Sequence, residues 1–146
     1  MRFFKFATVS LVMIFFLMLG IAVSDAYAGN YLGEFCWQDE EGGITKLAVT
    51  DMGNGHFLLN GILTEDEGEI GVMHGNAEIV GDKVYITITA AGSDEDETWS
   101  WTGSLILELA TLNGNREGLS IYYDRASGEI DLDYNSGTLT FIPCPE

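Results

Sequence analysis

From residue 30 onward the chain alternates apolar and polar side chains with a period of two, in short runs broken by turn residues. That pattern admits strands and little else, because side chains alternate between faces along a strand, whereas a helical stripe needs spacings of three and four. Lys83 to Ala91 sets Val84, Ile86, Ile88 and Ala90 against Tyr85, Thr87 and Thr89, and Trp99 to Leu109 aligns Trp99, Trp101, Gly103, Leu105, Leu107 and Leu109. The same reading gives strands at 31–38, 44–50, 56–64, 71–80, 119–123, 130–134 and 138–142. Asn54-Gly55, Gly81-Asp82 and Asn113-Gly114 supply the positive-φ residues of tight hairpins. Asp124 to Gly128 and Asn135 to Gly137 read as slightly longer turns. The expected fold is all-β: an antiparallel meander of eight to nine strands closing into a small up-and-down barrel, which removes its edges, with a β-sandwich as the alternative.

The first 28 residues follow another rule. Arg2 and Lys5 precede an apolar run from Phe6 to Val23, and a polar step at Ser24-Asp25 leads to Ala26-Tyr27-Ala28. This order is that of a secretory signal peptide with small residues at its cleavage site. A retained anchor is the alternative, since the run just reaches spanning length, but an anchor has no use for the Ala-x-Ala ending. The reading is therefore a signal peptide at 1–28, a single acidic domain at 29–146, and a secreted or periplasmic destination. Losing Arg2, Lys5 and Asp25 leaves 4 basic and 22 acidic side chains. Nucleic acid and anionic membrane surfaces are poor partners for such a domain, and cations or basic proteins are attracted.

Cys36 and Cys144 lie near the two ends of the exported portion, in a compartment that oxidises thiols, so a disulfide is the natural expectation. It also bears on the strand count. With eight strands the last runs down and Cys144 lies far from Cys36 near the top, beyond bridging distance, unless the tail turns back at Pro143, whereas nine bring both to the upper end. The disulfide therefore favours nine strands, with first and last parallel, and eight stays open.

With alternating strand directions, Asp39-Glu40-Glu41, Glu65-Asp66-Glu67 with Glu69, Asp94-Glu95-Asp96-Glu97, and Asp124 with Glu129 all fall at one end. The tight turns fall at the other. An acidic mouth above a pinched base is expected, as a rim for a basic partner or for Ca²⁺. Asp94, Glu95, Asp96 and Glu97 form the best run for calcium, which takes carboxylate and carbonyl oxygens. Asp131-x-Asp133-x-Asn135 opens like an EF-hand loop but lacks its glycine and final glutamate at the required places. No other cofactor is implied.

The inward faces are expected to gather Tyr31, Phe35, Trp37, Phe57, Trp99, Trp101, Tyr123, Tyr134 and Phe141. Trp37, Phe57, Trp99, Trp101 and Tyr123 are the candidates to hold a planar or apolar ligand. Small barrels have interior enough only for their own side chains, which favours a filled core. Catalysis finds little support. His56 and His74 fall on outward faces, His56 opposite Glu78, and no nucleophile or metalloprotease motif is present.

The short meander strands, the one-sided long loops and the first strand Gly33-Glu34-Phe35-Cys36-Trp37 resemble the lipocalin and avidin-like up-and-down barrels. Gly33 and Trp37 stand four apart, unlike the Gly-x-Trp of lipocalins, and no binding residue is carried over. The resemblance implies a barrel interior able to hold a small ligand. The functional expectation is a non-catalytic exported barrel, binding a small ligand or a basic partner. The alternatives are a structural or inhibitor-like envelope protein and a calcium module.

Overall fold

The computed structural model describes residues 29–64 and 70–145. The export segment read over 1–28 and the acids Glu65, Asp66, Glu67 and Glu69 lie outside the described residues. The strands are β1 (Asn30–Asp39), β2 (Ile44–Gly53), β3 (His56–Thr64), β4 (Ile70–Val80), β5 (Lys83–Ser93), β6 (Glu97–Glu108), β7 (Gly114–Asp124) and β8 (Ile130–Ile142). They pair antiparallel in sequence order, and β8 returns to β1 to close the ring. No helix long and apolar enough to cross a membrane occurs among the described residues.

The interior follows from alternation. Leu47, Val49, Leu59, Met73, Ala77, Val84, Ile86, Ile88, Ala90, Leu105, Leu107 and Leu139 form one buried cluster with the three tryptophans. At the β2–β3 hairpin, Asn54 (φ 56°) and Gly55 (φ 79°) form the expected two-residue turn, whose positive dihedrals match the twist of the flanking strands.

Among the described residues the strand count is eight. The two runs expected at 130–134 and 138–142 are one strand, and Asn135 to Gly137 is not a turn but pairs with Gly118, Glu117 and Arg116. Its turn-like composition has other causes. Asn135 is held by Trp101 and Ser120 through its side chain, and Gly137 lies beneath Arg116, whose Nε would be 3.6 Å from a Cβ there. Asn113-Gly114 is likewise not the β6–β7 turn, since Gly114 already pairs with Leu107. A Cβ at Gly114 would strike the Ile106 backbone. The turn runs over 109–113 and takes its positive φ at Leu112 (59°). Asn113 Oδ1 accepts the Phe141 N–H at 2.7 Å.

Closure is staggered. Only Cys36 to Asp39 of β1 pair with Ile142 to Leu139 of β8. The shear needed to close a barrel thus brings the end of β8 to the upper half of β1, and Pro143, which has no N–H to continue the ladder, ends the strand there. The expectation that eight full-height strands keep the cysteines apart omitted this stagger. Cys36 and Cys144 are disulfide-bonded with Cα atoms 5.1 Å apart. Arg116 reinforces the seam, its guanidinium 3.3 Å from Asp39, whose side chain is only 5% exposed.

The disulfide spans 108 residues. Replacing both cysteines, Cys36→Ala with Cys144→Ala, is expected to lower unfolding free energy by about 3 to 5 kcal/mol, since the unfolded chain then regains its loop entropy. Urea denaturation of the oxidised and substituted proteins measures the difference.

Candidate functional site

The interior is not uniformly filled. A cavity of about 280 Å³ opens at the tight-turn end. Phe35 and Trp37 from β1, Val49 from β2, Phe57 and Leu59 from β3, Ala77 and Ile79 from β4, Val84 and Ile86 from β5, and Leu107 from β6 line it. Leu32, Leu109 and Leu112 complete the wall. Every lining side chain is apolar or aromatic, so the cavity offers neither a charge nor an acid–base group. Trp37 Nε1 donates to the Leu112 carbonyl at 2.8 Å, pinning the 109–113 turn against the barrel mouth. Phe141 packs on Phe35 and Trp37 with ring centroids 6.1 and 5.7 Å away.

Further up, tryptophan rings fill the barrel. A Cβ at Gly71 or Gly92 would strike the Trp99 ring, and one at Gly103 or Gly118 would strike Trp101. The rings therefore lie flat on strand backbone that only glycine leaves clear. Trp101 Nε1 donates to Asn135 Oδ1 at 3.0 Å, and Asn135 Nδ2 donates to Ser120 Oγ at 2.9 Å. Trp99 and Trp101 are each 7% exposed.

Of the five expected ligand residues, Trp37 and Phe57 line the cavity, and Trp99 and Trp101 pack the other half of the interior. Tyr123 stands on the outer wall, 44% exposed, and Tyr31 and Tyr134 are outside as well. Two causes account for the reversals. A register shift between Tyr31 and Gly33 flips the start of β1. On β7, Gly118 and Ser120 face inward opposite Gly103 and Trp101, because the Trp101 ring leaves room only for small neighbours. That phase turns Tyr122 inward and Leu119, Ile121 and Tyr123 outward. Leu109, Leu112 and Ile79 escaped the sequence reading as cavity residues, although Ile79 keeps the inward phase of β4 and Leu109 and Leu112 extend those of β6 and β7 into the turn between them.

Among the described loops, the acidic ones share the end away from the cavity. Their aspartates serve the loops themselves. Asp39 Oδ1 accepts from the Glu41 and Gly43 N–H groups at 3.0 and 2.8 Å. Asp94 Oδ1 accepts from Asp96 and Glu97, each at 2.7 Å, and Asp124 Oδ1 accepts from Ala126 and Ser127, also at 2.7 Å. These are Asx-type turns, the local bonding that short polar side chains offer a loop. Over the 94–97 run, Arg125 already supplies a cation. Its guanidinium donates to the carbonyls of Asp94, Glu95 and Glu97 at 2.8, 3.3 and 3.2 Å, and to Thr98 Oγ1 at 3.1 Å. Among the described residues no group of three His, Cys, Asp or Glu side chains converges to hold a metal. His56 faces Glu78 across the strands at 4.0 Å on the exposed wall, the cross-strand pair expected from the register.

No protein-family model matches the chain, and neither does any curated protein. Among solved structures it is similar to core-bradavidin, with a TM-score of 0.52 and 18% identity over 75% of this chain and 99% of that one. The fold is avidin-like. At this identity the likeness concerns architecture, so the expected resemblance is realised in the strands and their ring closure, while the site stands on its own residues.

Hydrogen bonds from the Ser127 and Ala126 N–H groups hold the Asp124 carboxyl below the usual carboxylate range. A depressed folded value means that the stabilisation is present above the ordinary aspartate range and is lost as pH falls through the lowered value. Asp124→Asn is therefore expected to melt earlier than the parent near neutral pH and to lose less on acidification, as read from thermal melts in a pH series.

Proposed function

We propose that the protein is an exported, non-catalytic barrel that holds a small uncharged molecule, apolar or planar, in the cavity at its tight-turn end. The observation that carries this reading is the wholly apolar lining of an open cavity of about 280 Å³ inside the barrel. Its volume is near the lower limit of roughly 300 Å³ for ligand pockets, which suits a small guest. Trp37 has committed its N–H to Leu112, so the ring presents its face rather than a donor. Binding then rests on buried apolar area and ring contact, at roughly 25 cal/mol per Å² removed from water. The avidin-like architecture supports a binding role, and the absence of any acid–base or nucleophilic side chain in the lining is in keeping with it. The signal-like order of residues 1–28 and the Cys36–Cys144 disulfide support export.

Titration with a panel of small uncharged aromatic and aliphatic compounds is expected to shift tryptophan emission through Trp37 and to release heat in calorimetry. Ala77→Phe fills the cavity from β4 and is expected to weaken binding at least tenfold, at a cost of about 1 to 3 kcal/mol in stability for the added volume. A panel without a single binder, or binding that ignores Ala77→Phe in a folded protein, removes the proposal.

A further inference from the structure

The last strand outruns its neighbour across the seam. β1 pairs only with Leu139 to Ile142, so the segment of β8 from Ile130 to Ser136 has register partners on β7 alone among the described residues. Just past that segment Thr138 Oγ1 donates to Glu40 Oε1 at 2.6 Å, where the β1–β2 loop still reaches β8. The Phe141 N–H is turned toward the β7 side, where Asn113 Oδ1 accepts it at 2.7 Å. No register shift interrupts β8 between there and Ile130. Period-two alternation therefore turns the N–H and C=O groups of Leu132, Tyr134 and Ser136 to the opposite side, away from β7. Leu132 shows the consequence, since its N–H is taken by its own neighbour, Asp131 Oδ1, at 2.9 Å. The segment is an unpaired strand edge, a template for another strand.

Its side chains alternate in chemistry. Asp131 and Asp133 stand opposite Tyr122 and Ser120 of β7, on the inward face. Both are nevertheless exposed, because no strand closes the ring beside them. Neither has an ion-pair partner among the described residues. Ile130, Leu132 and Tyr134 face outward and are 68%, 61% and 66% exposed.

We propose that this edge takes up an extended segment of a basic protein, one in which lysine or arginine alternates with apolar residues. Main-chain bonds to Leu132, Tyr134 and Ser136 supply the ladder, and the alternation supplies the selection. The partner's basic side chains fall beside Asp131 and Asp133, and its apolar ones beside Ile130, Leu132 and Tyr134, the cross-strand pairings that stabilise a sheet. A second copy is a poor occupant. Edge on edge would set aspartate against aspartate, and inward charges of this kind are how sheets discourage self-pairing. The net charge of −17 draws a basic segment in at long range.

The probe is a synthetic peptide of about seven residues, within the usual strand length, alternating lysine with valine. A second peptide with the same residues in two blocks has equal charge without the pattern. Calorimetry is expected to show the alternating peptide binding about tenfold or more tightly than the block peptide, with affinity falling as salt rises. Hydrogen exchange is expected to slow at the Leu132, Tyr134 and Ser136 amides when it binds. Asp131→Asn with Asp133→Asn is expected to weaken binding about tenfold, the effect of losing two exposed ion pairs. Glu78→Gln with Asp82→Asn removes equal charge from the tight-turn end and is expected to change it by no more than about twofold. Leu132→Pro deletes an edge donor that β7 does not use, and is expected to abolish the advantage of the alternating peptide while thermal melting shows the barrel still folded. Should that variant fail to fold, the aspartate pair carries the test. Equal binding of the two peptides, slowed exchange away from this edge, or no loss in the aspartate variant overturns the proposal, as does the absence of binding by either peptide.

Discussion

The structure depends on the seam where β8 meets β1. Each of the other strand pairs joins neighbours in sequence, so their turns hold them close, but this pair must be brought together from opposite ends of the domain. It does so over just four register pairs. Two further links compensate for so short a ladder. The Cys36–Cys144 bond ties the strands covalently, and Arg116 reaches from β7 across Gly137 to Asp39 at the end of β1. Asp39 serves both sides of the closure, since its other oxygen fixes the β1–β2 loop. Breaking a nearly buried ion pair by removing one partner is costly because the other charge stays behind, so this corner resists change more than its size suggests.

Stagger at the seam also shapes the interior. A sheared eight-stranded barrel has room for side chains and little else, and the chain divides that room unequally. One half is occupied by Trp99 and Trp101, whose rings reach their places because Gly71, Gly92, Gly103 and Gly118 leave the backbone bare. The other half is lined by aliphatic residues together with Phe35, Trp37 and Phe57, which leave a gap beneath the 109–113 turn. The open end is therefore the one with short turns, opposite the acidic loops, and those loops use many of their carboxylates to order themselves.

Alternation made most of this legible. The phases of β5 and β6, the Asn54-Gly55 turn and the His56–Glu78 register follow from residue order, and the disulfide was expected from the two cysteines near the domain's ends. Three features escaped. The register shift near Leu32 reverses Tyr31, and nothing local marks it except Gly33. Leu119, Ile121 and Tyr123 look like an inward face, and only the Trp101 ring across the strand pair shows that Gly118 and Ser120 must hold that side. Asn135-Ser136-Gly137 has the composition of a turn because two of its residues answer distant demands, from Trp101 and from Arg116. In each case the deciding partner lies far along the chain, where a local reading cannot see it. The cavity was only half legible for the same reason: Trp37 and Phe57 were identifiable, but which end they open toward depends on the stagger.

With its disulfide formed, the stretch from Cys36 to Cys144 is topologically a circle. Denaturing it separates hairpins but leaves β1 and β8 within reach of each other, so the strand pairing of longest sequence separation is never fully lost. Every remaining pairing is between neighbours, the kind that forms quickly because little loop entropy opposes it. A reduced chain must zip seven hairpin contacts and then find its end. The oxidised one begins each refolding with the slowest search already done.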